Sequence, residues 1–127
     1  MSIAVLLVED SDVMRLCIKR VLSAEPAIKL LGEAVSLPQA IQMTTEMKPD
    51  IVVMDLHLPG DRLFSPDFVK TQLLLSTRHI LMISLSGDKA AEALAKKYGA
   101  VTLLDKSSLQ SSLIPSILRL GRRPTDA

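Results

Sequence analysis

A single cysteine, Cys17, leaves the chain without the partner an internal disulfide needs and without the ligands of a multi-cysteine zinc site. It falls in an apolar helical stretch, where a buried structural thiol is the expectation. An excess of charge of either sign is also missing. The 15 basic and 14 acidic residues leave a formal charge of +1, which gives no reason to expect a nucleic-acid or membrane partner. No apolar run approaches bilayer-spanning length, and no repeat, linker or low-complexity segment interrupts the chain. The first residues run straight into Ile3 to Val8 instead of through a basic segment and a long apolar one. No signal peptide is therefore expected, and a cytoplasmic location is the default. What remains, at 127 residues, is one domain with one core, residues 1–121. Residues 122–127 form a polar tail in which Arg122 and Arg123, with Arg119 before them, read as a solvated basic end.

The organising stretch is Ile51-Val52-Val53-Met54-Asp55. Four apolar residues read as a strand buried on both faces, as in a parallel sheet. The strand ends in a carboxylate, and Pro59-Gly60 then turns the chain. The rest alternates in the same way. Ile3 to Val8 is a second continuous apolar run, ended by Glu9-Asp10. Ser11 or Asp12 caps a helix to about Ala24, with Val13, Leu16, Cys17, Ile18, Val21 and Leu22 on a wide apolar stripe. Ile28 to Ala34, interrupted by Lys29 and Gly32, reads as an edge strand. Ser36 and Gln39 form a capping box for a helix to Met47 or Lys48.

After the irregular Asp61 to Ser65, Ser65-Pro66-Asp67 opens a third helix reaching about Ser76. His79 to Ser84 is a strand, Lys89 to Tyr98 a helix stopped by Gly99, and Val101 to Leu104 the fifth strand. Ser107, with Gln110 three residues on, opens the last helix to about Leu120, and Pro115 is expected to kink it. Scattered methionines read as core filler, and His79 as structural. Five strands alternating with five helices over short connections predict a doubly wound parallel sheet, a three-layer sandwich of flavodoxin-like (βα)5 type with strand order 2-1-3-4-5.

That topology places its ligand site at the switch between the first and third strands. Those are the strands that end in Glu9-Asp10 and in Asp55. Three acids at one crevice repel one another unless a cation compensates, and an oxygen-only donor set suits a hard ion such as Mg²⁺. The fourth strand delivers a hydroxyl, Ser84, to the same edge, and the fifth an ammonium, Lys106. A nucleophilic carboxylate, a cation site and donors to phosphate oxygens together make an inventory for phosphoryl transfer.

The chain resembles a receiver domain of two-component response regulators from about Ile3 to Leu120. The matching stretches are Leu7-Val8-Glu9-Asp10, Pro49 to Asp55 with Pro59-Gly60, and Gly99-Ala100 followed by Leu104-Asp105-Lys106. The resemblance implies that Asp55 accepts a phosphoryl group from a phosphohistidine on a sensor histidine kinase or phosphotransfer protein. It implies that Glu9, Asp10, Asp55 and the His57 carbonyl hold Mg²⁺, that Lys106 pairs with the acyl phosphate, and that Ser84 swings in to hydrogen-bond it. Ser84 is preferred over Ser86 by its spacing from Lys106 and from Gly99-Ala100. The switch is expected to reshape the surface of the fourth helix, fifth strand and fifth helix, through which partner binding or a homodimer would respond.

The chain departs from the family at Leu85, where a small residue is usual, and at Leu103, where an aromatic is usual. Ser107 replaces the common proline after the lysine, which removes the expected cis bond. Two alternatives stay open. One is a degenerate receiver working as a phosphorylation-independent interaction module. The other is an Asp-nucleophile phosphatase of the haloacid-dehalogenase type, which would need an acid where His57 stands.

Overall fold

The computed structural model describes residues 2–122, so the expectations for Arg123 and the rest of the tail lie outside the described residues. Its elements alternate throughout: β1 (Ile3–Val8), α1 (Asp12–Ser23), β2 (Ile28–Ala34), α2 (Leu37–Met47), β3 (Ile51–Asp55), α3 (Pro66–Leu74), β4 (His79–Ser84), α4 (Lys89–Lys97), β5 (Ala100–Asp105) and α5 (Leu109–Gly121). A 3₁₀ turn, Lys106–Ser108, joins β5 to α5. All strands pair in parallel in the order β2-β1-β3-β4-β5. This is the expected flavodoxin-like fold.

Successive side chains of a strand point to opposite faces, and both faces of the three central strands are apolar. One face carries Leu6, Val8, Val52, Met54, Ile80 and Met82 against α2, α3 and α4, whose buried residues include Leu37, Leu73 and Ala95. The other carries Val5, Leu7, Ile51, Val53, Leu81 and Ile83 against Ile18 and Leu22 of α1 and Leu109, Leu113 and Ile117 of α5. Burying a Leu or Ile side chain contributes roughly 1.5–3 kcal/mol. This double-sided core is therefore what holds the strand ends in place.

Several caps fall where the residue types place them. Ser11, Ser65 and Asp88 each accept a backbone N–H of their own helix. Ser36 accepts the Gln39 N–H at 3.3 Å, but the Gln39 amide oxygen accepts from Val35 N–H, one residue short of a closed capping box. Gly60 (φ +92°) turns the chain so closely over α2 that a Cβ there would come within 2.8 Å of Pro38 Cδ. The turn is tied down by Leu37 N–H bonding the Pro59 carbonyl.

Three further expectations are corrected. Cys17 is exposed, not a buried thiol, and Val13 and Leu16 are 74% and 48% exposed. In α1 only Ile18 and Leu22 are buried. At about 100° per residue, Leu16 and Cys17 are turned ~200° and ~100° from Ile18, off the narrow line that meets the sheet and α5. Ser107 does not cap the last helix: Asp105 accepts both the Ser107 N–H and its hydroxyl, which winds the 3₁₀ turn first. The fifth strand takes in Ala100 and Asp105 beyond the expected ends, with Val101 bulged out of register and half exposed. The helix α5 continues through Pro115. Pro115 and Ser111 both lie on its exposed side, so the carbonyl left without an N–H is open to water.

Candidate functional site

Register brings the site together. Val8 lies beside Met54 and Asp55 beside Ile83, so Glu9 and Asp10 follow β1 next to the end of β3. Ser84 pairs with Asp105, so Lys106 emerges from β5 next to the end of β4. One carboxylate oxygen from each of Glu9, Asp10 and Asp55 lies within 4.8 Å of the others. Lys106 Nζ sits 2.7 Å from Glu9 Oε1 and 3.1 Å from Asp55 Oδ1. Asp55, His57, Ser84, Leu85, Ser86 and Lys106 line a crevice of about 190 Å³ at that edge. Asp55, Ser84 and Lys106 thus meet at one crevice, with Glu9 and Asp10 clustered beside Asp55.

Burial grades the group. Glu9 is fully buried, Asp55 is 8% exposed and Asp10 is exposed. Burial pushes the Glu9 carboxyl above the ordinary range and Asp55 adds to that, while Lys106 and the Ser11 N–H, 3.1 Å from Oε2, pull it back. The Lys106 ammonium, 2.7 Å from Oε1, offsets the burial of that oxygen. Burial alone would depress the Lys106 ammonium. Its ion pairs with Glu9 and Asp55 outweigh this and hold its pKa above the ordinary value.

Three carboxylates against one ammonium leave two formal negative charges. The donor set is all oxygen, so the residues fit a hard divalent cation such as Mg²⁺.

Around the crevice, Ser84 is buried and its Oγ accepts the Ser86 N–H at 3.2 Å, whereas Ser86 is exposed. Leu85, one of the residues lining the crevice, is 79% exposed. Leu103 is half-buried and packs toward the α4 side of the core. His57 is exposed, and among the described residues no peptide bond is cis. Arg15 was not singled out by the sequence, yet it reaches back to the Glu9 carbonyl at 3.0 Å and to Glu33 on β2 at 3.1 Å. The only signal was an arginine one turn into a helix whose start abuts two acids.

The sequence matches the family described as response regulator receiver domain over residues 5–118. The chain belongs to that family. It is 32% identical over 114 residues to a protein-glutamate methylesterase/protein-glutamine glutaminase of Pyrococcus abyssi, covering 88% of this chain and 30% of that protein. It is 36% identical over 105 residues to a similarly named protein of Methanosarcina acetivorans, covering 80% and 29%. The chain thus spans about a third of the curated relatives it matches. Among solved structures, the response regulator domain of Thermotoga maritima CheB superposes with a TM-score of 0.80 at 23% identity, over 98% of this chain and all of that one. A LuxR-family response regulator from Aurantimonas gives 0.82 at 27% identity, over 99% and 93%. Among the described residues no helix is long and apolar enough to cross a membrane.

Proposed function

We propose that this chain is the regulatory, phosphoryl-accepting part of a response regulator, with Asp55 as the acceptor. The observation that carries the reading is the Asp55 carboxylate at the crevice floor, 3.1 Å from Lys106 and clustered with Glu9 and Asp10. In the proposed step Asp55 Oδ attacks the phosphorus of a phosphohistidine on a sensor histidine kinase or phosphotransfer protein. The O–P bond forms as the N–P bond breaks, and the electron pair stays on the departing imidazole. Lys106 neutralises the anionic acyl phosphate, and Ser84 turns its hydroxyl from the Ser86 N–H to a phosphoryl oxygen. A Mg²⁺ ion held by Glu9, Asp10, Asp55 and the His57 carbonyl would supply charge neutralisation to the phosphoryl oxygens.

Residues 1–121 make up the receiver unit in this reading, and 122–127 its tail. Lys106 leads directly into α5 and Ser84 into α4, so the α4–β5–α5 face is the surface that would report phosphorylation to a partner or a second copy. Membership of the receiver family favours this reading over an Asp-nucleophile phosphatase. The test is incubation with a small phosphodonor and Mg²⁺, followed by intact-mass measurement. A phosphate-sized increase that is lost in Asp55→Asn supports the proposal. No increase in the unaltered chain would leave a phosphorylation-independent interaction module instead.

A further inference from the structure

We infer that Arg15 is a positioning residue for the cation site: its guanidinium holds the Glu9 carbonyl and so aims Asp10. The inference rests on reading Glu9, Asp10 and Asp55 as a cation site. Glu9 is restrained at every other polar group. Its N–H bonds the Ala34 carbonyl at 3.0 Å, its Oε2 accepts from Ser11, and its Oε1 pairs with Lys106. The carbonyl is the group that begins the Glu9–Asp10 peptide plane, and Arg15 Nη1 donates to it at 3.0 Å. Asp10 itself is exposed and, among the described residues, its carboxylate has no hydrogen-bond or ion-pair partner. Its direction is therefore set by the backbone that Arg15 holds.

The guanidinium suits this task because one planar group serves three segments. Nη1 takes the strand end, Nη2 takes Asp12 in the first turn of α1, and Nε takes Glu33 on β2 at 3.1 Å. Glu33 is in turn pinned by Lys19 at 3.0 Å. A lysine at position 15 would keep the charge and lose the fork.

Charge and positioning predict opposite signs. A positive group beside three acids works against a divalent cation, so a role in charge alone means tighter binding once Arg15 is neutralised. Positioning means weaker binding. The test is a Mg²⁺ titration of the unphosphorylated ¹⁵N-labelled chain, followed by the amide shifts of Asp10, Asp55 and Lys106, with thermal unfolding of each variant beside it. Arg15→Lys and Arg15→Gln are each expected to raise the half-saturating Mg²⁺ concentration about 10-fold, the lower end for residues that orient metal ligands. Glu33→Gln loosens the anchor but also removes an acid, so it is read only beside the Arg15 variants; Arg15→Lys, which keeps the charge and loses the fork, carries the test if Arg15→Gln does not fold. Unchanged or tighter binding in Arg15→Gln, or unchanged binding in Arg15→Lys where that variant stands alone, overturns the inference. Asp10→Asn separates the two levels. Weakened binding there without an effect at Arg15 sinks the inference alone, whereas unweakened binding in Asp10→Asn sinks the cation reading and the inference with it.

Discussion

Lys106→Met removes the ammonium and keeps the apolar stem, which leaves Glu9 and Asp55 facing each other in a buried crevice. Their side chains are 1% and 10% exposed, and that of Lys106 is 8% exposed. Stripping one partner from a buried ion pair costs about 3–5 kcal/mol if the remaining charge stays. Glu9 has an escape, because it can take up a proton. From its ordinary value of 4.5, protonation at pH 7 costs about 3.4 kcal/mol at ~1.36 kcal/mol per pH unit. Burial already raises Glu9, so the loss should settle at about 2–3 kcal/mol. With an unfolding entropy of about 2.1 cal/mol/K per residue, that lowers Tm by about 7–11 °C for a chain this long.

The pH dependence has a definite sign. A carboxyl whose folded value exceeds its unfolded one adds stability only below the unfolded value, and that stability drains as pH rises through the folded value. Removing Lys106 raises Glu9 further, so the deficit against the unaltered protein opens as pH rises past that protein's own, already raised Glu9 value and is smallest in acid. Far-UV circular dichroism melts in chelator-containing buffer suit a chain with no tryptophan and one tyrosine. A loss below about 1 kcal/mol at pH 7, flat with pH, would refute the reasoning, since a truly paired buried charge should lose more.

Other outcomes follow from the same packing. Leu113→Ala empties a fully buried position between α5 and the sheet and should cost about 2–5 kcal/mol in urea unfolding with an unchanged m-value; a loss under ~1 kcal/mol would show that α5 collapses onto the gap. Gly99→Ala puts a side chain at φ +82°, with its Cβ 2.7 Å from Lys70 Cγ. The flexible Lys70 stem can yield, so the backbone penalty of about 1–2 kcal/mol should dominate and survive in a Lys70→Ala background. Burial, with a contribution from Arg78, lowers the His79 pKa below its usual 6.5. The stability this confers is present above 6.5 and lost as pH falls through the folded value. His79→Gln should flatten that slope in melts between pH 5 and 7, and an unaltered slope would count against it.

The sheet and the acids at its edge were legible because both depend on local pattern. A parallel strand buried on two faces must be apolar at every position, so β1, β3 and β4 announced themselves, and the residue that broke each run marked the strand's end. Short alternating connections then left one sensible strand order, and that order put Glu9, Asp10, Asp55, Ser84 and Lys106 on one edge. Tertiary packing settled what pattern leaves degenerate. Six apolar residues on α1 could not say which two would meet the sheet, because a helix rests on a line narrower than its apolar stripe; Ile18 and Leu22 were taken, and Val13, Leu16 and Cys17 were left in water. Whether Ser107 or Asp105 caps the turn after β5 depended on how the chain leaves the strand, not on either residue's propensity. Lys106 lies between two carboxylates, nearer Glu9 than Asp55, and Arg15 bridges β1 and β2. Both arrangements join residues far apart in the chain, so their distances exist only once the strands have found their register.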